Sequence, residues 1–555
     1  MGQSLHTGTA DSAQLTPTNH SPDQQSIDLT TARTIGGDTI ENGAISAFGY
    51  VPAYRRVLGT LVSVAIVLAL SSPLGAIMIS GSYQLTFAGY WGLSWGWILP
   101  NIMMLPQVIA VAELCSSMPV NGGFYWWAAA LAPDRFARPI AFIVGWFNVL
   151  ALATGLAAFA YAVAAALGQT LTMATDYEFS LAELMGLSMG VITLWASLML
   201  LRLENVSIVM VATATFLGLS CVGFMVALPV THSMQGLPFA AAADVFGKFT
   251  NYSPDWPETG VAVPFAFYGV LFVNSIWTAP AYVAEETHDA RRQAPKAILE
   301  SFLCTAVLGL GVCLVFAFCI NDMDTIVADE SGYPLFAVVQ NHWGRTATSA
   351  FLLVSTVFST IGGSGMLLTY ATQVAAFARD GGLPYSSYVS RVHQRTNMPM
   401  IATCLLVCLT YLFLLLALSP HASDVVYSLA SLASLIIWAT PITFRLFAGD
   451  RWVPGPFYTG RFSWSIHLVG VLSSAYFLIT RAFPSTKDSV PLNIIVVLGV
   501  LAVSLIAFFF GSDNFKGLDS AALQAWRHNN RHCIEGSVDF ADILRQSTVD
   551  QMVNK

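Results

Sequence analysis

Ser71-Ser72-Pro73-Leu74-Gly75-Ala76 lies inside an otherwise apolar run from Val57 to Ala88, and its reading decides the fold. Proline removes a backbone donor and glycine relaxes the backbone, so a helix long enough to cross a bilayer opens there. A second interruption, Trp277-Thr278-Ala279-Pro280-Ala281-Tyr282, again falls far from either end of an apolar run. Backbone groups freed at membrane depth are tolerated only where they line a cavity.

Working outward, stretches long enough to cross a bilayer lie near 57–88, 93–115, 139–167, 181–201, 205–230, 261–284, 297–320, 347–378, 399–418, 424–447, 464–481 and 490–511. A span needs about 17 to 25 residues. The interruptions therefore fall in the first and sixth of twelve spans, five apart. Five is odd, so a second copy of a five-helix unit starts on the opposite side of the membrane, as an inverted repeat requires. The expectation is an all-α integral membrane protein with a five-plus-five inverted-repeat core in which helices one and six are discontinuous.

Composition agrees: 55% of the 555 residues are hydrophobic and 10% charged, where a soluble chain carries about 25% charged residues. A formal charge of -8 excludes the clustered basic face that a nucleic-acid partner needs. Residues 1–50 hold one basic residue, Arg33, and no apolar core, so they resemble neither a signal nor a transit peptide and read as a disordered tail. With the N-terminus in the cytosol, twenty of the 24 lysines and arginines fall on the cytosolic side. Lys248, Arg345, Arg481 and Lys487 remain outside, and both termini are then cytosolic. The outer loop near 231–260 carries Asn251-Tyr252-Ser253, a glycosylation acceptor if it meets a secretory lumen.

Almost no ionisable residue sits deep in a span; Val57 through Ala112 has none, nor does 347–378. A polyamine-like cation would need carboxylates in its pocket. A zwitterion can set its carboxylate on a half-helix N-terminus and its ammonium on carbonyls or hydroxyls. Ser72, Pro73, Leu74, Gly75 and Ala76, with Trp277, Thr278, Ala279 and Tyr282, are the candidate substrate-binding residues. A quaternary ammonium remains open, since aromatics such as Trp277 and Tyr282 supply cation-π contacts without an acid.

No metal or cofactor is expected. Cys404 and Cys408 share a helix face without an accompanying histidine, and the ten histidines all lie in tails, loops or span ends. That distribution argues against the rival reading of a membrane enzyme. The end-of-span charges Glu113, Glu285, Glu286, Asp289, Arg291, Arg292, Arg379 and Asp380 are expected to meet on the cytosolic side as a gate network.

Ala112-Glu113-Leu114-Cys115-Ser116-Ser117-Met118-Pro119-Val120-Asn121-Gly122-Gly123-Phe124-Tyr125-Trp126-Trp127 resembles the permease signature of the amino acid/polyamine/organocation superfamily. The likeness is narrower to the fungal amino acid/choline permeases, which include γ-aminobutyrate permeases and choline transporters. It extends through the block 284–296 after the sixth span and Ala378-Arg379-Asp380-Gly381-Gly382-Leu383-Pro384 after the eighth, covering roughly residues 45–515. The resemblance implies a ten-helix core over 51–447, two appended helices over 448–511 and a cytosolic C-terminal tail over 512–555. It implies a permease for amino acids or amines such as γ-aminobutyrate, coupled to protons, in the plasma or vacuolar membrane. In sodium-coupled members of the fold, hydroxyls of helix eight meet carbonyls of helix one, which makes Ser359, Thr360 and Ser364 candidates for an ion site. Relatives often carry an aspartate in the sixth span and a histidine four residues on. Thr278 and Tyr282 occupy those positions here, so the resemblance bears on transport more than on the cargo. A choline transporter and a transporter-like nutrient sensor are the alternatives.

Overall fold

The computed structural model describes residue 56 and residues 58–511, apart from 202, 330–331, 397, 419–421 and 484–491, and a few positions between 515 and 527. The tail expected over 1–50 lies outside the described residues, as does most of that over 512–555. Among the described residues there are helices and two isolated bridges, and no strand.

Each of the twelve expected stretches holds a helix. They are the pair Thr60–Ser71 and Pro73–Ala88, then Tyr90–Ser117, Asp134–Thr175, Leu181–Leu198, Leu203–Met234, the broken Thr259–Tyr282, Ala290–Cys319, Pro334–Arg379, Met400–Leu414, Ala422–Leu446, Ser463–Ala482 and Leu492–Gly511. Nine of the described helices are long and apolar enough to cross a membrane, and the bent first pair makes a tenth. Met400–Leu414 and Val497–Phe509 are shorter apolar helices.

The third span is the central post. In its most apolar window 89% of the residues are buried, against 22% in the fourth span, whose remaining apolar surface is left for lipid. Two glycines let the eighth span approach its neighbours. A Cβ on Gly362 would stand 2.4 Å from the Ala69 carbonyl oxygen of the first span, and one on Gly363 would stand 2.1 Å from Trp195 of the fourth. The helix Pro334–Arg379 is not one rod, because Gly344 has φ 73° and ψ 170°. The part before Gly344 is a separate helix, which explains why hydropathy places the eighth span from 347 onward.

The first span breaks where expected. Ser72 takes a left-handed conformation (φ 35°, ψ 64°), Pro73 starts the next helix, and the two halves bend by 42°. Proline suits the first helical position because its missing N–H has no intrahelical partner there. The sixth span breaks earlier than its sequence suggested. Helix ends at Val273, Asn274 and Ser275 leave it, and Ile276–Thr278 and Ala279–Tyr282 form two short turns. Pro280 thus falls in the opening turn of a short helix instead of ending a long one.

Candidate functional site

Each break opens onto a cavity. The first is lined by Ser72, Leu74, Gly75 and Ala76, faced by Phe159 of the third span and by Ser355, Thr356 and Ser359 of the eighth. The second is lined by Ser275, Thr278 and Tyr282 of the sixth span, Gly155 and Phe159 of the third, Tyr370 of the eighth, and Ser431, Ser434 and Trp438 of the tenth. Their empty space, open solvent included, is about 540 and 690 Å³. Phe159 and Phe272 belong to both linings, so the two cavities adjoin. Neither lining contains a lysine, arginine, histidine, aspartate or glutamate.

Backbone chemistry at the first break favours an anion. Ser72 N–H donates to the Leu68 carbonyl at 3.2 Å and Ala76 N–H to the Ser72 carbonyl at 3.0 Å. Between them Pro73 has no donor and no side chain caps the new helix, while the Leu74 amide faces Cys221 of the fifth span. The hydroxyls of Ser72 and Ser359 stand 2.6 Å apart across the first and eighth spans.

The structure does not bring all the candidates together. Pro73, Trp277 and Ala279 are buried outside both linings; the Trp277 ring packs on Trp438 at 5.0 Å. The Thr360 and Ser364 hydroxyls donate within their own helix, to the Thr356 and Ile361 carbonyls, and do not join Ser359 in meeting the first span. Asn251 holds an Asx turn, accepting from Ser253 N–H at 3.0 Å and donating to the Trp256 carbonyl at 2.6 Å. Ser275, Tyr370 and Trp438 escaped the sequence reading. Ser275 carried a signal, being a hydroxyl beside Asn274 in an apolar run. The rings carried none.

Part of the expected charge cluster, Glu285, Arg379 and Asp380, assembles near where the first span begins. Arg379 donates to both oxygens of Glu285, at 2.9 and 3.0 Å. Asn121 closes a reciprocal pair with Glu285: its N–H donates to the carboxylate at 3.0 Å and its Oδ1 accepts from Glu285 N–H at 2.8 Å. Tyr125 donates to Asp380 at 3.0 Å, and Thr372 to the Tyr282 carbonyl at 3.0 Å. Leu58, before the first span, bonds on both sides to the segment after the sixth, through the Glu286 carbonyl and His288 N–H. Glu285 and Glu286 are both buried, just beyond the sixth span. Burial opposes ionisation of Glu285, but the charge and hydrogen bonds of Arg379 outweigh it and hold this carboxyl below its ordinary value. Glu286 accepts from the Asn121 side-chain amide at 3.4 Å, and burial and the adjacent Glu285 push it up to about 8.

Glu113 is the correction. It is fully buried in a different cluster, accepting from Thr459 N–H at 2.8 Å, from the Thr459 hydroxyl, and from the Ser463 hydroxyl at 2.7 Å. It ties the second span to the loop before the eleventh. Arg291 bonds to the Ser116 carbonyl at 3.4 Å, and Asp289 begins the seventh helix in a left-handed conformation. Among the described residues no three metal-ligating side chains gather.

Comparison with known proteins gives this geometry its context. Residues 58–507 match the family described as amino acid permease. The chain is 30% identical to the GABA-specific permease of Saccharomyces cerevisiae, over 81% of this chain and 80% of that one. It is 26% identical to an uncharacterized amino-acid permease of Schizosaccharomyces pombe, over 85% and 88% of the two chains. It is 25% identical to the amino-acid permease BAT1 of Arabidopsis thaliana, over 86% and 97%. A match spanning every helix from the first break to the last span, on a chain whose two broken helices open onto cavities, has one meaning: the protein belongs to the amino acid permease family and is an integral membrane amino acid transporter.

Proposed function

We propose that this permease carries a zwitterionic amino acid of the γ-aminobutyrate type together with protons, by alternating access around the two broken spans. The observation that carries the reading is the absence of lysine, arginine, histidine, aspartate and glutamate from both cavity linings, beside a half-helix that starts at Pro73 without a capping side chain. A carboxylate set on that helix N-terminus gains the positive end of the helix dipole without a fixed counter-charge. The ammonium then meets the hydroxyls of Ser275 and Thr278 and the rings of Tyr282, Tyr370 and Trp438. The name of the Saccharomyces cerevisiae relative supports γ-aminobutyrate as the cargo. The aromatic lining also suits choline, the second reading, which needs no hydrogen bond to its cation.

Glu286 is the proton carrier in this reading, as a buried carboxylate that still holds a proton near neutral pH. Its neighbour Glu285, clamped by Arg379, keeps the gate shut on that side. The twenty-to-four distribution of basic residues supports a cytosolic gate and cytosolic termini. The address is the plasma membrane or the vacuole.

The test is uptake of labelled γ-aminobutyrate in a host stripped of its own permeases, competed by a panel of amino acids and by choline. Accumulation above the external level, abolished by a protonophore and blocked by γ-aminobutyrate but not by choline, is the expected result. Competition by choline alone selects the second reading. Substrate-dependent signalling without uptake removes the transport reading in favour of a sensor.

A further inference from the structure

The ten histidines look scattered in sequence, yet the fold brings two of them into contact. His232 lies in the last turn of the fifth span and is fully buried; His342 is 9% exposed and lies two residues before the break at Gly344. His232 Nδ1 stands 2.8 Å from His342 Nε2. Each ring's other nitrogen meets a backbone carbonyl: His232 Nε2 lies 3.1 Å from the Pro238 oxygen and His342 Nδ1 2.7 Å from the Val338 oxygen.

Proton arithmetic decides the state of this chain. A carbonyl oxygen only accepts, so both outer contacts require an N–H on the ring. The central contact requires another hydrogen between the two nitrogens. Three hydrogens are needed, and two neutral imidazoles bring one N–H each. We propose that His232 and His342 jointly bind one added proton and so form a proton-operated latch between the end of the fifth span and the helix before the eighth. Without that proton, one of the three contacts sets lone pair against lone pair in a buried place.

No charged group is bonded to either ring among the described residues. The fifth span contributes Thr231, which accepts from Trp343 Nε1 at 3.0 Å, and the following turn contributes Gln235, which donates to the His342 carbonyl at 2.7 Å. Phe239 packs 4.6 Å from the His232 ring. Arg345, beyond the break, is paired with Asp176 at the end of the third span at 2.8 Å. The added charge is therefore compensated by the two carbonyls and by sharing between the rings.

The latch bears on the transport site through the helix it holds. Phe336 of that helix lines the cavity at the first break, and Leu335 lies where a Cβ on Gly81 would meet it at 2.4 Å. The helix is a lid on the side opposite the Glu285 gate, and this proton belongs to the lid, separate from any proton carried with cargo. The inference does not rest on which amino acid is moved.

Thermal unfolding of the purified full-length protein between pH 5 and 8.5 tests it, comparing wild type with His232→Gln and His342→Gln. Below about pH 6.5 the unfolded chain binds two protons on these residues and well above it none, whereas the native pair keeps one. The pair's contribution to stability therefore rises toward that pH from the acid side and falls beyond it. The Tm gap between wild type and either variant, a few degrees, should be widest there. If a single variant does not survive purification, the double variant serves, because two amides can donate and accept along the same contacts without titrating. A gap that narrows as pH rises above that value, for the single variants or for the double, supports the latch; a gap that rises to a plateau, or that does not change with pH, overturns it.

Discussion

The first and sixth spans are both broken, but they are broken differently. In the first, one residue, Ser72, leaves the helix, and the bend is held by close packing and two hydroxyl pairs, with Gly362 against the Ala69 carbonyl, Ser72 against Ser359 and Ser71 against Thr305. The sixth loosens from Asn274 to Thr287 and is held by polar ties: Asn274 donates to Asn101 at 2.7 Å, Thr372 to the Tyr282 carbonyl at 3.0 Å, and Arg379 to Glu285. The first is a joint set by sterics. The second is a segment whose shape depends on which hydrogen bonds it keeps, and so it is the better place to couple a proton or a cargo to movement.

Several substitutions would sharpen or break that contrast. Arg379→Ala should have the largest effect, because it strands the buried Glu285 charge; losing one partner of a buried ion pair is worth about 3–5 kcal/mol. Tm and uptake should both collapse, and near-normal values would show that the sixth span does not depend on this tie. Gly75→Phe acts on the first span by filling its cavity. Gly75→Ala is tolerated, since its Cβ would come no closer than 3.4 Å to Ser72 Oγ. The ring should lower uptake by about 100-fold or more, a loss of roughly 2.7 kcal/mol, with normal delivery to the membrane.

Glu286→Gln probes the sixth span through pH. Because the native carboxyl is pushed up to about 8, its contribution to stability is intact below its ordinary value near 4.3. That contribution is lost as pH rises through 8, since the native state alone holds the proton in between. Glutamine should flatten the fall in Tm across that window, and an unchanged slope would count against the shift. Ser72→Ala and Ser359→Ala should each lose about 0.5–1.5 kcal/mol, and the double variant little more than either, as expected of one shared bond. Thr278→Ala should be mildest, with KM or cargo preference changing about three- to tenfold, a loss of around 1 kcal/mol, and no loss of stability. Unaltered kinetics would remove Thr278 from the cargo site.

Much of this architecture was legible in the sequence because hydropathy and proline record local events. Twelve apolar runs gave the helices, and Ser72-Pro73 marked its own break. What was not legible depends on helix phase and distant pairing. Trp277 sits in the interruption but packs on the lining residue Trp438 without itself reaching the cavity. Pro280 suggested the position of a break that Asn274 and Ser275 make instead. Glu113 read as a gate charge because it ends a span, yet its donors come from Thr459 and Ser463, about 350 residues on. His232 and His342 meet across 110 residues, and no periodicity announces such a pair.

Glu113 also says something about modularity. Three donors from one short stretch, the amide and hydroxyl of Thr459 and the hydroxyl of Ser463, enclose a carboxylate that has no water to fall back on. Truncation after residue 447 would strip all of them and leave a bare anion in the second span. The second span thus leans on the segment that opens the eleventh helix, and a shortened version of this protein has to keep that segment.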